Sequence, residues 1–299
     1  MDRLGPARCD GSMTTFQPLT DTRRPIAVAP TGGKTGRRVA ARLERLGLLV
    51  RRLGRTGPVP FDWADLSTWR PALDGAAAAY LAYQPDLAFP GGLEAITGIA
   101  AVAADAGVER AVLLSGRGEP AARECELAFL AALPSATVVR CAWFDQNFSE
   151  GAFAEAVAAG VVAVPCDRSA AEPFVDADDI AEVAAVALTR PGHEGQVHEL
   201  TGPASLTFDA VAATLSEVGG GRVRFVPVSR AEFAALATGS GVPPEDAHAL
   251  AHLFGKVLDG RNTGISNGVR DVLGREPRSF ADFARDAAAS GAWPQRRVS

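Results

Sequence analysis

The stretch that most narrows the choice of fold is Ile26–Leu43, IAVAPTGGKTGRRVAARL. Four apolar residues enter a glycine-bearing turn, and the turn opens onto a helical pattern. Strand, tight turn and helix in that order form the first half of a βαβ unit. The pattern then repeats. Gly36–Leu46 reads as the first helix, closed by Gly47, and Leu48–Leu53 as the second strand. A short helix over Asp65–Leu73 precedes a third strand, Ala76–Tyr83, and Gly91–Ala106 is helical. ERAVLLSG gives a fourth strand ending at Ser115, a helix covers roughly Ala121–Leu133, and ATVVRCAW gives a fifth strand. Strands apolar on both faces and alternating with helices predict an α/β fold with a parallel sheet covered on both sides.

From Phe144 the character changes. EPFVDADDIAEVAAVAL and one more strand in QVHELTG lead to a mainly helical C-terminal region. Residues 1–23 have no apolar segment of signal-peptide type and read as a disordered extension, in which Met13 is a possible start. The net charge of -5 argues against a nucleic-acid or anionic-membrane surface. Cys9, Cys125, Cys141 and Cys166 lack metal-ligand spacing and suit a reducing cytoplasm. Monomer and homodimer are equally open.

The turn itself invites two readings. A phosphate loop of the form G-x-x-x-x-G-K-[ST] fails, because the position five before Gly33 is Val28. The spacing G-x-x-G-x-x-G fits instead, with Gly33 and Gly36 as its second and third glycines and Pro30 in place of the first. In such a loop, small residues let main-chain N–H groups at a helix N-terminus reach a pyrophosphate. Thr31, Gly32, Gly33, Lys34, Thr35 and Gly36 are the cofactor-binding candidates, with Lys34 adding positive charge. Pro30 offers no N–H, so it bears on cofactor affinity. After the second strand, VRRLGR carries no acid where an NAD site expects one. Arg51 and Arg55 suit a 2′-phosphate there, which favours NADPH.

With PTGGKTGRRVAARL, FDWADLSTW, LLSGRGE, RCAWFDQNFSEG, EPFVDADDIAEVA and LDGRN…LGREPRSFADFARDAA in view, the chain resembles the NmrA-like branch of the atypical short-chain dehydrogenase/reductases over residues from about 24 to 294. The resemblance implies an α/β, Rossmann-type doubly wound domain that binds NAD(P) over residues 24–143 plus about 172–202, a smaller, mainly helical C-terminal substrate lobe over 144–171 plus 203–299, and the active site in the cleft between. It places Asp62 near the adenine and Tyr83, Gln84 and Pro85 along the cofactor ribose. It puts Ser115, Gly116 and Arg117 by the nicotinamide or substrate, and Trp143, Phe144, Gln146 and Asn147 at the pocket border. Pro30 departs from the family's loop.

Typical short-chain reductases protonate the new alkoxide through a Tyr-x-x-x-Lys pair, and this chain has none. Its two tyrosines, Tyr80 and Tyr83, are followed four residues on by Gln84 and Leu87, and its two lysines are Lys34 and Lys256. Ser115 is the candidate catalytic hydrogen-bond donor. The expected reaction is NADPH-dependent reduction of an activated C=O or C=N in a large hydrophobic small molecule, with an aromatic-polyketide ketone as the sharper case. Two alternatives stay open: a regulatory protein that senses NADP(H), and a non-redox isomerase or cyclase. His248 and His252, four apart, lack a third metal ligand, so no metal is expected. Asp176, Asp178 and Asp179 read as a helix N-cap and first-turn acids. Glu119, Glu124 and Glu126 read as charges on a helix surface.

Overall fold

The computed structural model describes residues 23–219 and 221–293. The sequence read as an N-terminal extension, with Cys9 and Met13, lies outside them apart from residue 23. Strands β1 (Ile26–Ala29), β2 (Val50–Arg52), β3 (Ala78–Leu81), β4 (Arg110–Gly116) and β5 (Thr137–Cys141) alternate with helices α1 (Lys34–Arg45), α2 (Trp69–Leu73), α3 (Gly92–Asp105) and α4 (Pro120–Ala132). The chain continues through α5 (Ala152–Ala158), β6 (Val161–Val164), β7 (Ala171–Glu172), α6 (Ala177–Thr189), β8 (Val197–Leu200) and β9 (Leu206–Thr207). It closes with α7 (Phe208–Gly219), β10 (Arg224–Pro227), α8 (Arg230–Gly239), α9 (Pro244–Val257), α10 (Gly268–Leu273) and α11 (Phe280–Ala289).

Six strands form one parallel sheet in the order β2-β1-β3-β4-β5-β8. A parallel bridge between Gly54 and Pro60 carries the pairing beyond β2. Every residue of β1 and β3 is buried, because helices cover both faces. One face packs α1, α6 and α10 against Val28, Tyr80, Val112 and Val139. The other packs α2, α3 and α4 against Ala79, Leu81, Leu113 and Val138. The strand order reverses at β1, where β2 lies on one side and β3 on the other. In an open parallel sheet, that reversal opens a crevice at the carboxyl ends of the strands.

A third apolar core lies outside the sheet layers. Phe148, Phe174, Phe208, Phe225, Phe233, Phe280 and Trp293 gather there with α7, α8, α9 and α11. This region is mainly helical, as expected, but it also holds strand pairs that the sequence reading did not separate. β6 and β10 pair in parallel, and β7 and β9 pair antiparallel. The start of α6 is capped as the sequence predicts: Asp176 Oδ1 accepts from the N–H of Asp178 at 2.8 Å. Gln146 reinforces that cap, donating to Asp176 Oδ1 at 2.7 Å and accepting from Ala177 N–H at 2.7 Å. Asp179 is more than a first-turn acid. It is buried and binds the Arg275 guanidinium and the Arg278 N–H, both at 2.7 Å. Among the described residues, no helix is long and apolar enough to cross a membrane.

Candidate active site: a cleft along the carboxyl edge of the sheet

The turn between β1 and α1 is shaped for a phosphate. Gly33 caps α1 without any side-chain hydrogen bond, and no acid stands in the first turn. The first N–H groups of a twelve-residue helix are therefore without a side-chain cap, and the helix dipole favours an anion in front of them. Gly36 has a different task. A Cβ there would overlap the carbonyl oxygen of Pro30, so only glycine lets the helix approach the end of β1. The N–H of Thr31 is taken by Leu53 O at 2.8 Å, and its hydroxyl donates to the same oxygen at 3.0 Å. Thr31 thus pins the loop to the end of β2. The Ala29–Pro30 and Gln84–Pro85 peptides are both cis.

Two cavities meet at this loop. One, of about 960 Å³, runs over Thr31, Arg55, Asp62 and Trp63. The other, of about 600 Å³, runs over Lys34, Ser115, Glu119, Trp143 and Phe254. Pro30, Gly32, Gly33, Tyr83, Gln84 and Pro85 border both. A single trough therefore passes across the uncapped helix start, with room at each end. Such a trough could hold a dinucleotide, with a nucleoside in each cavity and the pyrophosphate between. The chemistry of the lining agrees. Arg55 is exposed in the first cavity, and no ion pair ties it to a described residue. Lys34 reaches from the first turn of α1 to donate to Asn147 Oδ1 at 2.8 Å. Burial pulls its pKa down, while the Glu150 carboxylate works against that.

Not every expected residue joins the trough. Arg51 turns away, its guanidinium donating to Ala72 O at 2.9 Å and Asp74 O at 2.7 Å. It closes the end of α2, and of the arginine pair only Arg55 faces the first cavity. Gln146 lies under the α6 cap, buried, while its neighbours Phe144 and Asn147 border the second cavity. Gly36 and Thr35 support the loop from beneath, with Thr35 buried beside the second cavity. Asp62 borders the first cavity, its main chain held by the Trp69 indole at 2.9 Å. Tyr83 stacks edge-on against Trp63 at 5.1 Å between ring centres. Gly116 and Arg117 line the second cavity, and Arg117 also grips the C-terminal segment through Asn262 O and Gly264 O at 2.8 and 2.7 Å. His248 and His252 are exposed on α9.

The carboxylates of α4 overturn the surface reading. Glu124 is exposed, but Glu126 is fully buried. It accepts from Ser115 Oγ at 2.7 Å, from Arg140 Nε at 2.8 Å and from Arg123 at 3.0 Å. Burial pushes its pKa up, but the Arg140, Ser115 and Arg123 hydrogen bonds outweigh it and hold the carboxyl below its ordinary value. Glu119, just ahead of α4, borders the second cavity, and burial with the neighbouring Asp86 pushes its carboxyl up to about 9. Glu172 of β7 borders the same cavity and is pushed up to about 7 by burial, against the Trp143 N–H and Arg117. The sequence carried half of the signal: Arg140 stands inside an apolar strand and calls for an acid, but nothing in the sequence says which acid answers it.

Agroclavine dehydrogenase of Claviceps fusiformis is 34% identical over 253 residues, which cover 76% of this chain and 82% of that protein. The chain belongs to the NmrA-like branch of the atypical short-chain dehydrogenase/reductases. No family model matches it. The triphenylmethane reductase of Citrobacter sp., solved with NADP(H), shares the fold with a TM-score of 0.68 at 21% identity, over 88% of this chain and 99% of its own. NmrA, a negative transcriptional regulator solved with NAD, does so with a TM-score of 0.67 at 16% identity, over 91% and 98%. As a member of its family, the protein is an NAD(P)H-dependent oxidoreductase.

Proposed function

We propose that the protein uses NADPH to reduce an activated C=O or C=N group of a large, flat, hydrophobic metabolite. An aromatic-polyketide ketone of an antibiotic pathway is the specific case favoured. The observation that carries this reading is the wall of the second cavity. Trp143 and Phe144 follow β5, and Leu250, Leu253, Phe254 and Val257 recur along one face of α9. Those α9 positions are three, four and seven apart, the spacing of one helical stripe. An apolar and aromatic wall facing the carboxyl end of β4 suits a broad hydrophobic ring system. NADPH rather than NADH is supported by Arg55, which stands where a 2′-phosphate would lie beyond the second strand.

In the bound state the cofactor would supply a hydride at the second cavity. Gly32, Gly33 and the start of α1 would hold its pyrophosphate, with Lys34 adding charge. The chain's own contributions are orientation, exclusion of water by the α9 wall, and a hydrogen-bonding edge at β4. Calorimetric titration with NADPH and NADH, followed by nicotinamide absorbance with polyphenolic ketones, imines and quinones, tests the reading. Tight NADPH binding with oxidation by at least one probe is expected. Binding without turnover of any probe would favour an NADP(H)-sensing role, and failure to bind would favour non-redox chemistry on the same fold.

A further inference from the structure

Reducing a carbonyl leaves negative charge on its oxygen, which then needs a proton. Ser115 is poorly placed to supply it. Its hydroxyl donates at 2.7 Å to Glu126, a buried carboxylate that Arg140 and Arg123 keep ionised. A hydroxyl so committed turns lone pairs, not its hydrogen, toward the cavity.

Glu119 is placed differently. Its side chain folds back over Gly116, the last residue of β4, into space that any Cβ on Gly116 would occupy. Its Oε2 is shielded from solvent and has no hydrogen-bond partner among the described residues. The residue borders the second cavity together with Ser115 and with Asp86, from the loop after β3. Asp86 is partly open to solvent, and its carboxyl lies against that of Glu119. Two carboxyls in contact resist double ionisation, so such a pair retains one proton.

We propose that Glu119 is the general acid of this reductase, held over Gly116 with Asp86 at its side. The proposal rests on the reductase reading above. When bound, NADPH supplies the hydride that forms the new C–H bond. The C=O π pair moves onto oxygen, and that oxygen takes the proton from Glu119 as the carboxyl O–H bond breaks. Glu119 is left as a carboxylate, and solvent restores its proton. Burial, Asp86 and the Glu126 charge together push the Glu119 carboxyl up to about 9, so the acid form dominates at neutral pH. The other charged groups bordering the cavity are Lys34 and Arg37 of α1, Arg117 after β4, Glu150 after β5, and Glu172 of β7.

The test compares the whole protein with Glu119→Gln and Asp86→Asn, using 9,10-phenanthrenequinone and a polyphenolic ketone as probes. Glu119→Gln is expected to lower kcat by about 100-fold, the scale of general-acid catalysis. It should also remove the alkaline fall in rate while leaving the NADPH Kd in place. Asp86→Asn, by removing a neighbouring negative charge, is expected to shift that fall to lower pH. Difference infrared spectra of the protein without substrate give a readout apart from turnover. A carboxylic-acid C=O band should titrate away near 9 in the wild type and be missing from Glu119→Gln. Wild-type kcat and an unchanged alkaline limb in Glu119→Gln, or an unmoved limb in Asp86→Asn, would overturn the proposal and leave the reductase reading standing. Failure of the wild type to oxidise NADPH with any probe would overturn both.

Discussion

Replacing Glu172 with glutamine should change how stability responds to pH, in a direction the fold dictates. Glu172 is 3% exposed, one oxygen accepts the Trp143 N–H at 3.3 Å, and the other has no partner among the described residues. Burial raises its carboxyl from 4.5 to about 7. Between those values the folded chain holds a proton that the unfolded chain has released. Stability therefore declines as pH rises through that window, and the loss is complete above the folded value. At about 1.4 kcal/mol per pH unit, that gap amounts to roughly 3 kcal/mol. Glutamine cannot ionise, so Glu172→Gln should lack this component. Urea unfolding of the cofactor-free protein at about pH 5 and about pH 8 gives the comparison, with each protein referred to its own value at the lower pH. The wild type should lose up to roughly 3 kcal/mol more than the variant. Equal losses would show that Glu172 ionises as freely in the fold as in the unfolded chain, and the burial argument would fail.

Four further outcomes follow from the trough and the residues that support it. Gly36→Ala should abolish measurable NADPH binding in calorimetry, because its methyl would meet the Pro30 carbonyl and push α1 away from the loop. Arg55→Ala should weaken NADPH by about tenfold or more while sparing NADH, the scale of a hydrogen bond to a charged group. Arg51→Ala should leave the NADPH-to-NADH preference alone and instead lower Tm, since Arg51 holds the carbonyls of Ala72 and Asp74. Gln146→Leu should cost about 1–3 kcal/mol in urea unfolding by stripping partners from the α6 cap, with substrate KM unchanged.

The sheet was legible because its strands are apolar on both faces and punctuated by glycine turns. β1 coincides with the four apolar residues read as the first strand, and β3 lies inside Ala76–Tyr83, two residues shorter at each end. Gly36 was legible too, since close approach is a backbone requirement that only one residue type meets. Arg51 shows where local reading stops. Adjacent residues of a strand point to opposite faces, and nothing within VRRLGR says which face the ligand will use. Glu126 was hidden for another reason. Its partners Arg140 and Ser115 are 14 and 11 positions away and meet it only once β4, β5 and α4 have packed. Glu119 needed both Gly116 and Asp86 in place before it looked like anything but a surface charge. The VVAV strand β6 finds its partner β10 some sixty residues later, a pairing that periodicity does not encode.

The α9 stripe has a consequence for how such proteins diverge. Leu250 and Phe254 of the stripe pack against the third core, whereas the loop proposed to receive the phosphate joins β1 to α1 of the sheet. On the proposed reading, Leu250, Leu253, Phe254 and Val257 can therefore be exchanged without disturbing the loop that would hold the nucleotide. Selection, or a directed library at those positions, can retune which molecule is reduced while the reducing machinery is inherited unchanged.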